Sequence, residues 1–129
     1  LGLPFPAGKA VDALSCESPC KERYRVKLNG LDFSFSGIQN KTEKFFSETK
    51  NAADTAKFVM NCIVNCIADA TRAALAQYPG LPVVFSGGVA SNSMLRERMR
   101  EFAPVFAEPL FSTDNAMGIA VLAALQEDA

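Results

Sequence analysis

The sequence contains no histidine and no tryptophan, and only two tyrosines. Without histidine, no HExxH-type zinc pattern, Ser–His or Cys–His pair, or complete His-ligated metal centre can be built from these residues alone. Charge of one sign is also scarce: 13 Lys and Arg stand against 14 Asp and Glu, for a formal net charge of -1. No like-charged run exceeds a few residues, so no basic surface broad enough to hold nucleic acid by itself is expected. Apolar runs stay short of membrane-spanning length, and the opening residues have neither a basic leader nor a cleavage pattern. A soluble, cytoplasmic chain without membrane association is therefore expected. There is no initiator Met at Leu1, which suggests a piece of a longer protein.

Cysteine is limited to four positions. Cys16 and Cys20 flank Pro19, and Cys62 and Cys66 share a helix face; neither pair has the short-knuckle spacing of a zinc site. Cys62 and Cys66 fall in register with Phe58, Ile63 and Ile67 and fit small apolar core residues. A disulfide between Cys16 and Cys20 is open on spacing, but the lack of a secretory leader favours free thiols.

What is present suits one globular unit. At 129 residues and 49% hydrophobic content the chain can bury one core, so a single domain over 1–129 is expected. The most informative stretch is Val83-Val84-Phe85-Ser86-Gly87-Gly88-Val89-Ala90-Ser91-Asn92. Apolar residues suited to a buried strand run into a glycine pair, followed by a polar cap and a helical pattern. Glycine allows positive φ and close approach of a ligand, and exposed N–H groups at such a turn favour phosphate or ribose. The alternative is a tight strand-to-helix connection and nothing more.

Taken in order, Leu3-Pro4-Phe5-Pro6-Ala7-Gly8 is a stiff loop leading to a short helix over 10–14 that carries Asp12, and residues 15–23 read as an exposed loop. Residues 24–28 and 31–35 alternate apolar and polar around Asn29-Gly30, predicting a hairpin with a type I′ turn. Tyr24, Val26, Leu28, Leu31, Phe33 and Phe35 form its buried face. Ser34 and Ser36 suit either a pocket or a helix cap. A helix over 36–46 follows, then a long one capped by Asn51 with Asp54 in its first turn. Its apolar stripe, from Phe58 to Ala74, predicts a helix lying on a sheet and stopped by Pro79-Gly80. Strands over 83–86 and 105–107, with a helix over 94–102 between them, predict an α/β unit with a parallel sheet. Arg96, Arg98 and Arg100 alternate with acids and read as a solvated face, with phosphate binding as the lesser alternative. Asp114, at the start of a last helix over 116–125, suits either an N-cap or a hard oxygen ligand for a cation. The small residues of that helix, Gly118 among them, suit close packing.

Four segments in order, Leu1-Gly2-Leu3-Pro4-Phe5-Pro6-Ala7-Gly8, Leu31-Asp32-Phe33-Ser34-Phe35-Ser36-Gly37, Ser86-Gly87-Gly88-Val89-Ala90-Ser91-Asn92 and Ser112-Thr113-Asp114-Asn115-Ala116, resemble successive motifs of the TsaD tRNA threonylcarbamoyltransferases. That family was known earlier as glycoproteases or O-sialoglycoprotein endopeptidases. The resemblance covers most of its C-terminal half. It implies part of an actin-like ATPase lobe (ASKHA, ribonuclease H-like), α/β with a mixed sheet flanked by helices. It implies binding of threonylcarbamoyl-adenylate or ATP by Gly8, Asp12, Gly87, Gly88 and Asn92. Asp114 matches the carboxylate that completes an iron or zinc site, whose His pair lies in the family's N-terminal half. The implied partners are that missing N-terminal lobe, TsaB-like and TsaE-like proteins, and tRNA through the full complex, with a homodimer as an option. The fragment alone is then expected to be inactive. Ala7 departs from the family's second glycine, and the order Met117-Gly118-Ile119 departs from its usual pattern. A catalytically silent TsaB-like or TsaD-like scaffold, or another actin-like phosphotransferase, are the competing readings. The residues lend no support to proteolysis.

Overall fold

The computed structural model describes residues 1–108. The predicted last helix, Gly118 and Asp114 lie outside these residues. The described chain is a mixed α/β structure in which helices carry most of the packing. In chain order it comprises α1 (Gly8–Glu17), β1 (Leu28–Asn29), β2 (Asp32–Phe33), α2 (Ser36–Thr49), α3 (Ala52–Gln77), β3 (Val84–Phe85), α4 (Ser93–Met99) and β4 (Val105–Phe106). Single 3-10 turns, Gly88–Ser91 and Arg100–Phe102, bracket α4.

α3 is the axis of the fold. Asn51 caps it as expected, its side chain accepting from the Asp54 N–H at 3.1 Å. The helix does not lie on a sheet by one stripe. Thr55, Ala56, Phe58, Met60, Cys62, Val64, Cys66 and Ala68 are all buried, a spacing of about two that surrounds a helix with neighbours. On one side Phe58, Cys62 and Cys66 join Val26 and Ile38, with the Phe45 and Phe58 rings stacked at 4.6 Å. On another, Met60, Val64 and Ala68 join Leu95 and Met99, backed by Val11, Phe85 and Phe106. By length and composition alone α3 is long and apolar enough to cross a membrane, a test that the core helix of a soluble protein also passes. Its contacts with α1, α2 and α4 occupy those apolar faces within the protein.

Two small sheets replace the expected mixed sheet. β1 and β2 are antiparallel, pairing Leu28 with Phe33 and Asn29 with Asp32. The two-residue loop is therefore Gly30-Leu31 rather than Asn29-Gly30, and positive φ occurs at Gly30 but not at Leu31. That pattern fits a II′ turn, which needs glycine only at its first central position. Pairing shifts by two residues, so the alternation of faces survives. Only Val26 of the predicted buried face is fully covered, and Phe33 remains 41% exposed. β3 and β4 pair in parallel, Val84 with Val105 and Phe85 with Phe106, as the α/β reading required. One face packs on the second cluster through Phe85 and Phe106, while Val84 and Val105 are exposed.

Helix bounds moved in physically simple ways. α1 extends through Glu17 into the expected loop, where the buried Ser15 hydroxyl bonds the Asp12 carbonyl at 2.7 Å and closes a turn. α2 runs to Thr49 and ends on Lys50 in the left-handed region, whose N–H bonds the Phe46 carbonyl. Arg96 is not part of a solvated face. Its guanidinium reaches the carbonyls of Ala90 at 2.9 Å and Ala107 at 3.2 Å and lies 4.6 Å from the Phe106 ring centroid, tying the glycine turn to β4. Arg98 and Arg100 do follow the expectation, pairing with Glu101 and Glu97 on the surface.

Candidate functional site

The corner between β3 and α4 is built as the glycine pair suggested. After β3 the chain passes Gly87 at φ 93° and ψ 165°, a region open essentially to glycine alone. Gly88 then opens a 3-10 turn closed by the Ala90 N–H on the Gly87 carbonyl and the Asn92 N–H on the Val89 carbonyl, both at 3.0 Å. A β-carbon at Gly87 or Gly88 would meet no atom within 4 Å, and the same holds for Gly8. The glycine turn is thus open on its side-chain face rather than filled by packing. Gly8 begins α1, and Asp12, four residues on, lies on the same face of that helix.

The structure brings Asp12 and Asn92 into direct contact across 80 residues. The Asn92 amide donates to Asp12 Oδ1 at 2.8 Å, while its carbonyl oxygen accepts from the Leu95 N–H at 3.0 Å and caps α4. Ser93, which sequence reasoning missed, completes the cluster. Its hydroxyl donates to Asp12 Oδ1 at 2.8 Å and its N–H to Oδ2 at 3.1 Å. Asp12 therefore supplies acceptors to the first N–H of α4, where a carboxylate is favoured by the helix dipole. A serine just after an N-cap is too common to have flagged this. Cys16 Sγ lies 3.5 Å from Ser93 Oγ, and Met60 Sδ lies 3.8 Å from the Asn92 amide nitrogen. The Ser91 hydroxyl is buried without a hydrogen-bond partner among the described residues, a feature that ordinarily needs explanation.

Chemically, this corner can bind and orient. Asp12 offers acceptors only, which suits hydroxyl donors, and the glycine backbone permits a ligand to approach closely. Among the described residues no three Cys, Asp or Glu side chains cluster to hold a metal. With no histidine in the sequence, the described residues do not make a metal centre. The Cys62 and Cys66 thiols are held in the protonated form. Burial pushes Cys62 upward, partly opposed by the Tyr24 N–H and by Arg23, and burial aided by Asp69 pushes Cys66 upward. Ser34 serves the start of α2, accepting from the Ser36 N–H at 3.3 Å, which is the cap-like alternative.

Comparison with known proteins agrees with the four-motif resemblance. The family model described as TsaD, tRNA N6-adenosine threonylcarbamoyltransferase, matches residues 1–121. The curated tRNA N6-adenosine threonylcarbamoyltransferase of Streptococcus suis is 33% identical over 139 residues, covering 98% of this chain and 41% of that protein. Its counterpart from Kosmotoga olearia is 34% identical over 134 residues, covering 95% of this chain and 41% of the relative. The one from Pelodictyon phaeoclathratiforme is 34% identical over 155 residues, covering 98% and 43%. The chain thus spans about two-fifths of the length of the curated relatives it matches. On the match over residues 1–121, the chain belongs to the TsaD family.

Proposed function

We propose that this chain is the nucleotide-binding part, and contributes one metal ligand, of a tRNA N6-adenosine threonylcarbamoyltransferase, within an actin-like lobe of a longer protein. The observation that carries the proposal is the 2.8 Å contact of Asp12 with Asn92 beside a glycine turn whose side-chain face meets none of the described residues within 4 Å. Residues assigned to one ligand by motif resemblance alone meet at one corner. In this reading Asp12 accepts from ribose hydroxyls, and Gly8, Gly87 and Gly88 let the backbone approach the adenylate of threonylcarbamoyl-adenylate or ATP. Asn92 holds Asp12 in place and caps α4, so the carboxylate is oriented before the ligand arrives.

Iron or zinc, when bound, would polarise the acyl group under attack. The described residues alone do not fit such an ion. Asp114 is the one ligand proposed from this chain, with a His pair supplied from elsewhere in the longer protein. The same reading puts the protein in the cytoplasm with TsaB-like and TsaE-like partners and tRNA as acceptor.

The test compares three proteins in a tRNA modification assay with threonylcarbamoyl-adenylate: the full-length chain, residues 1–129 alone, and the full-length Asn92→Ser variant. Full activity is expected from the first, reduced activity from the variant through weaker adenylate binding, and none from residues 1–129 alone. Robust modification by residues 1–129, or an Asn92→Ser variant with wild-type adenylate affinity, contradicts the proposal.

A further inference from the structure

The sequence offers no broad basic surface, but the fold gathers one locally. Residues 20–27 carry Lys21, Arg23, Arg25 and Lys27 at every second position, with Glu22 the one carboxylate among them. Lys21 and Arg23 line a surface hollow of about 350 Å³, and Arg23 and Arg25 line an adjoining one of about 240 Å³. The two hollows share Arg23 and Asn65 and so form one continuous groove. Its other wall is α3, where Lys57, Asn61 and Asn65 follow one another at four-residue spacing on one face. Asn61 locks the walls together, its amide donating to the carbonyls of Cys20 and Glu22, both at 3.1 Å.

The charges of this groove are unbalanced. Lys21, Arg23, Arg25, Lys27 and Lys57 make no ion pair among the described residues. One carboxylate, Asp69, lines the hollows, and it is paired with Arg72 at 3.0 Å. Gathering four lining cations, Lys21, Arg23, Arg25 and Lys57, in a chain whose net charge is -1 leaves a local positive field that an outside anion relieves. Planar guanidinium groups and an asparagine amide are donors suited to phosphate oxygens, and such contacts position a nucleic acid without reading its bases.

We propose that this groove, between residues 20–27 and the Lys57–Asn61–Asn65 face of α3, docks the phosphate backbone of the RNA substrate. The proposal rests on the transferase reading above for the identity of the RNA. The groove is formed without Asp12, Asn92 or the glycine turn, so it can be disabled separately from the nucleotide corner.

The test is fluorescence anisotropy of an unmodified tRNA transcript with the full-length protein over a salt series. Arg23→Gln with Arg25→Gln removes two exposed cations, Lys57→Gln alters the opposite wall, and Lys44→Gln, far along α2 and paired with Glu48, serves as control. The double variant is expected to bind about tenfold or more weakly, with the salt slope smaller by about 2, and Lys57→Gln smaller by about 1. Circular dichroism and adenylate affinity should match wild type in all of them. Unchanged slopes with a wild type that binds and modifies the transcript overturn the groove but leave the transferase reading standing. A wild type with no affinity for the transcript overturns the groove, and only a failure to modify tRNA in the modification assay overturns the transferase reading. Variants that keep RNA affinity but lose an acidic protein partner also overturn it, in favour of a protein-docking role.

Discussion

Replacing Asn92 by Ala removes two separable interactions, and their sizes can be worked from the geometry. The first is the α4 cap, the side-chain oxygen accepting from the Leu95 N–H at 3.0 Å, and losing it costs about 1 kcal/mol. The second is the amide donated to the Asp12 carboxylate at 2.8 Å. Hydrogen bonds to charged groups contribute about 1.5–3 kcal/mol, and the low end applies because Asp12 keeps both donors of Ser93. Asn92→Ala should therefore destabilise the α1–α4 corner by about 2.5 kcal/mol, taking about 1 for the cap and 1.5 for the amide. Asn92→Ser keeps a capping oxygen but cannot reach as an amide does, so it should cost about 1.5 kcal/mol. Native-state hydrogen exchange of the full-length chain reads this locally, without assuming that its lobes unfold together. Protection at the Leu95 amide should fall roughly 60-fold in Asn92→Ala and roughly 12-fold in Asn92→Ser, at about 1.4 kcal/mol per factor of ten. Equal loss in both variants, or less than about threefold in Asn92→Ala, refutes the two-part role of this residue.

Three further outcomes are expected. Gly87→Ala should destabilise by about 1–3 kcal/mol because of its φ of 93° alone, whereas Gly88→Ala should stay within about 0.5 kcal/mol yet weaken adenylate binding; denaturant midpoints and calorimetric titration check the two halves. Arg96→Ala should cost about 2–3 kcal/mol by losing both carbonyl contacts and the Phe106 stack, while Arg100→Ala, in an exposed pair with Glu97, should change stability by under about 0.5 kcal/mol. Cys62 and Cys66 thiols are held protonated by burial, so an alkylating probe at pH 8 should modify exposed Cys16 first. Because folding raises their pKa, the unfolded chain releases these protons first. Their contribution is complete below the unfolded thiol value of about 8.5 and is lost as pH rises beyond it through the raised folded values. Urea titrations at pH 7.5 and 9.5 should show the later midpoint at the lower pH.

Local signals carried well from sequence to structure, and long-range ones did not. Asn51 was legible as a cap because a short polar side chain before an apolar-periodic run has few other uses, and the polar cap expected after the glycine pair is supplied by Asn92. Gly87 and the parallel pairing of β3 with β4 followed from the strand–glycine–helix order. The surroundings of α3 were not legible, since periodicity reports which residues are apolar and not how many neighbours cover them. Likewise Arg96 looked like its neighbours in the chain, and only the position of Ala107 after β4 shows what it holds. The hairpin register failed because Asn29-Gly30 is a strong turn signal, yet one glycine at positive φ suffices for a II′ turn one residue later. For the site, Gly8, Asp12, Gly87, Gly88 and Asn92 were reached through motif resemblance; the role of Ser93 required the fold.

The central claim is that the α1 start, the glycine turn and the α4 cap form one wall of an adenylate site. A crystal structure of the full-length protein with an adenylate bound tests it most directly. The account predicts the ribose within hydrogen-bonding reach of Asp12 and the nucleotide against the Gly87–Gly88 backbone. An adenylate bound elsewhere, with Asp12 and Asn92 contacting only each other and Ser93, would contradict it.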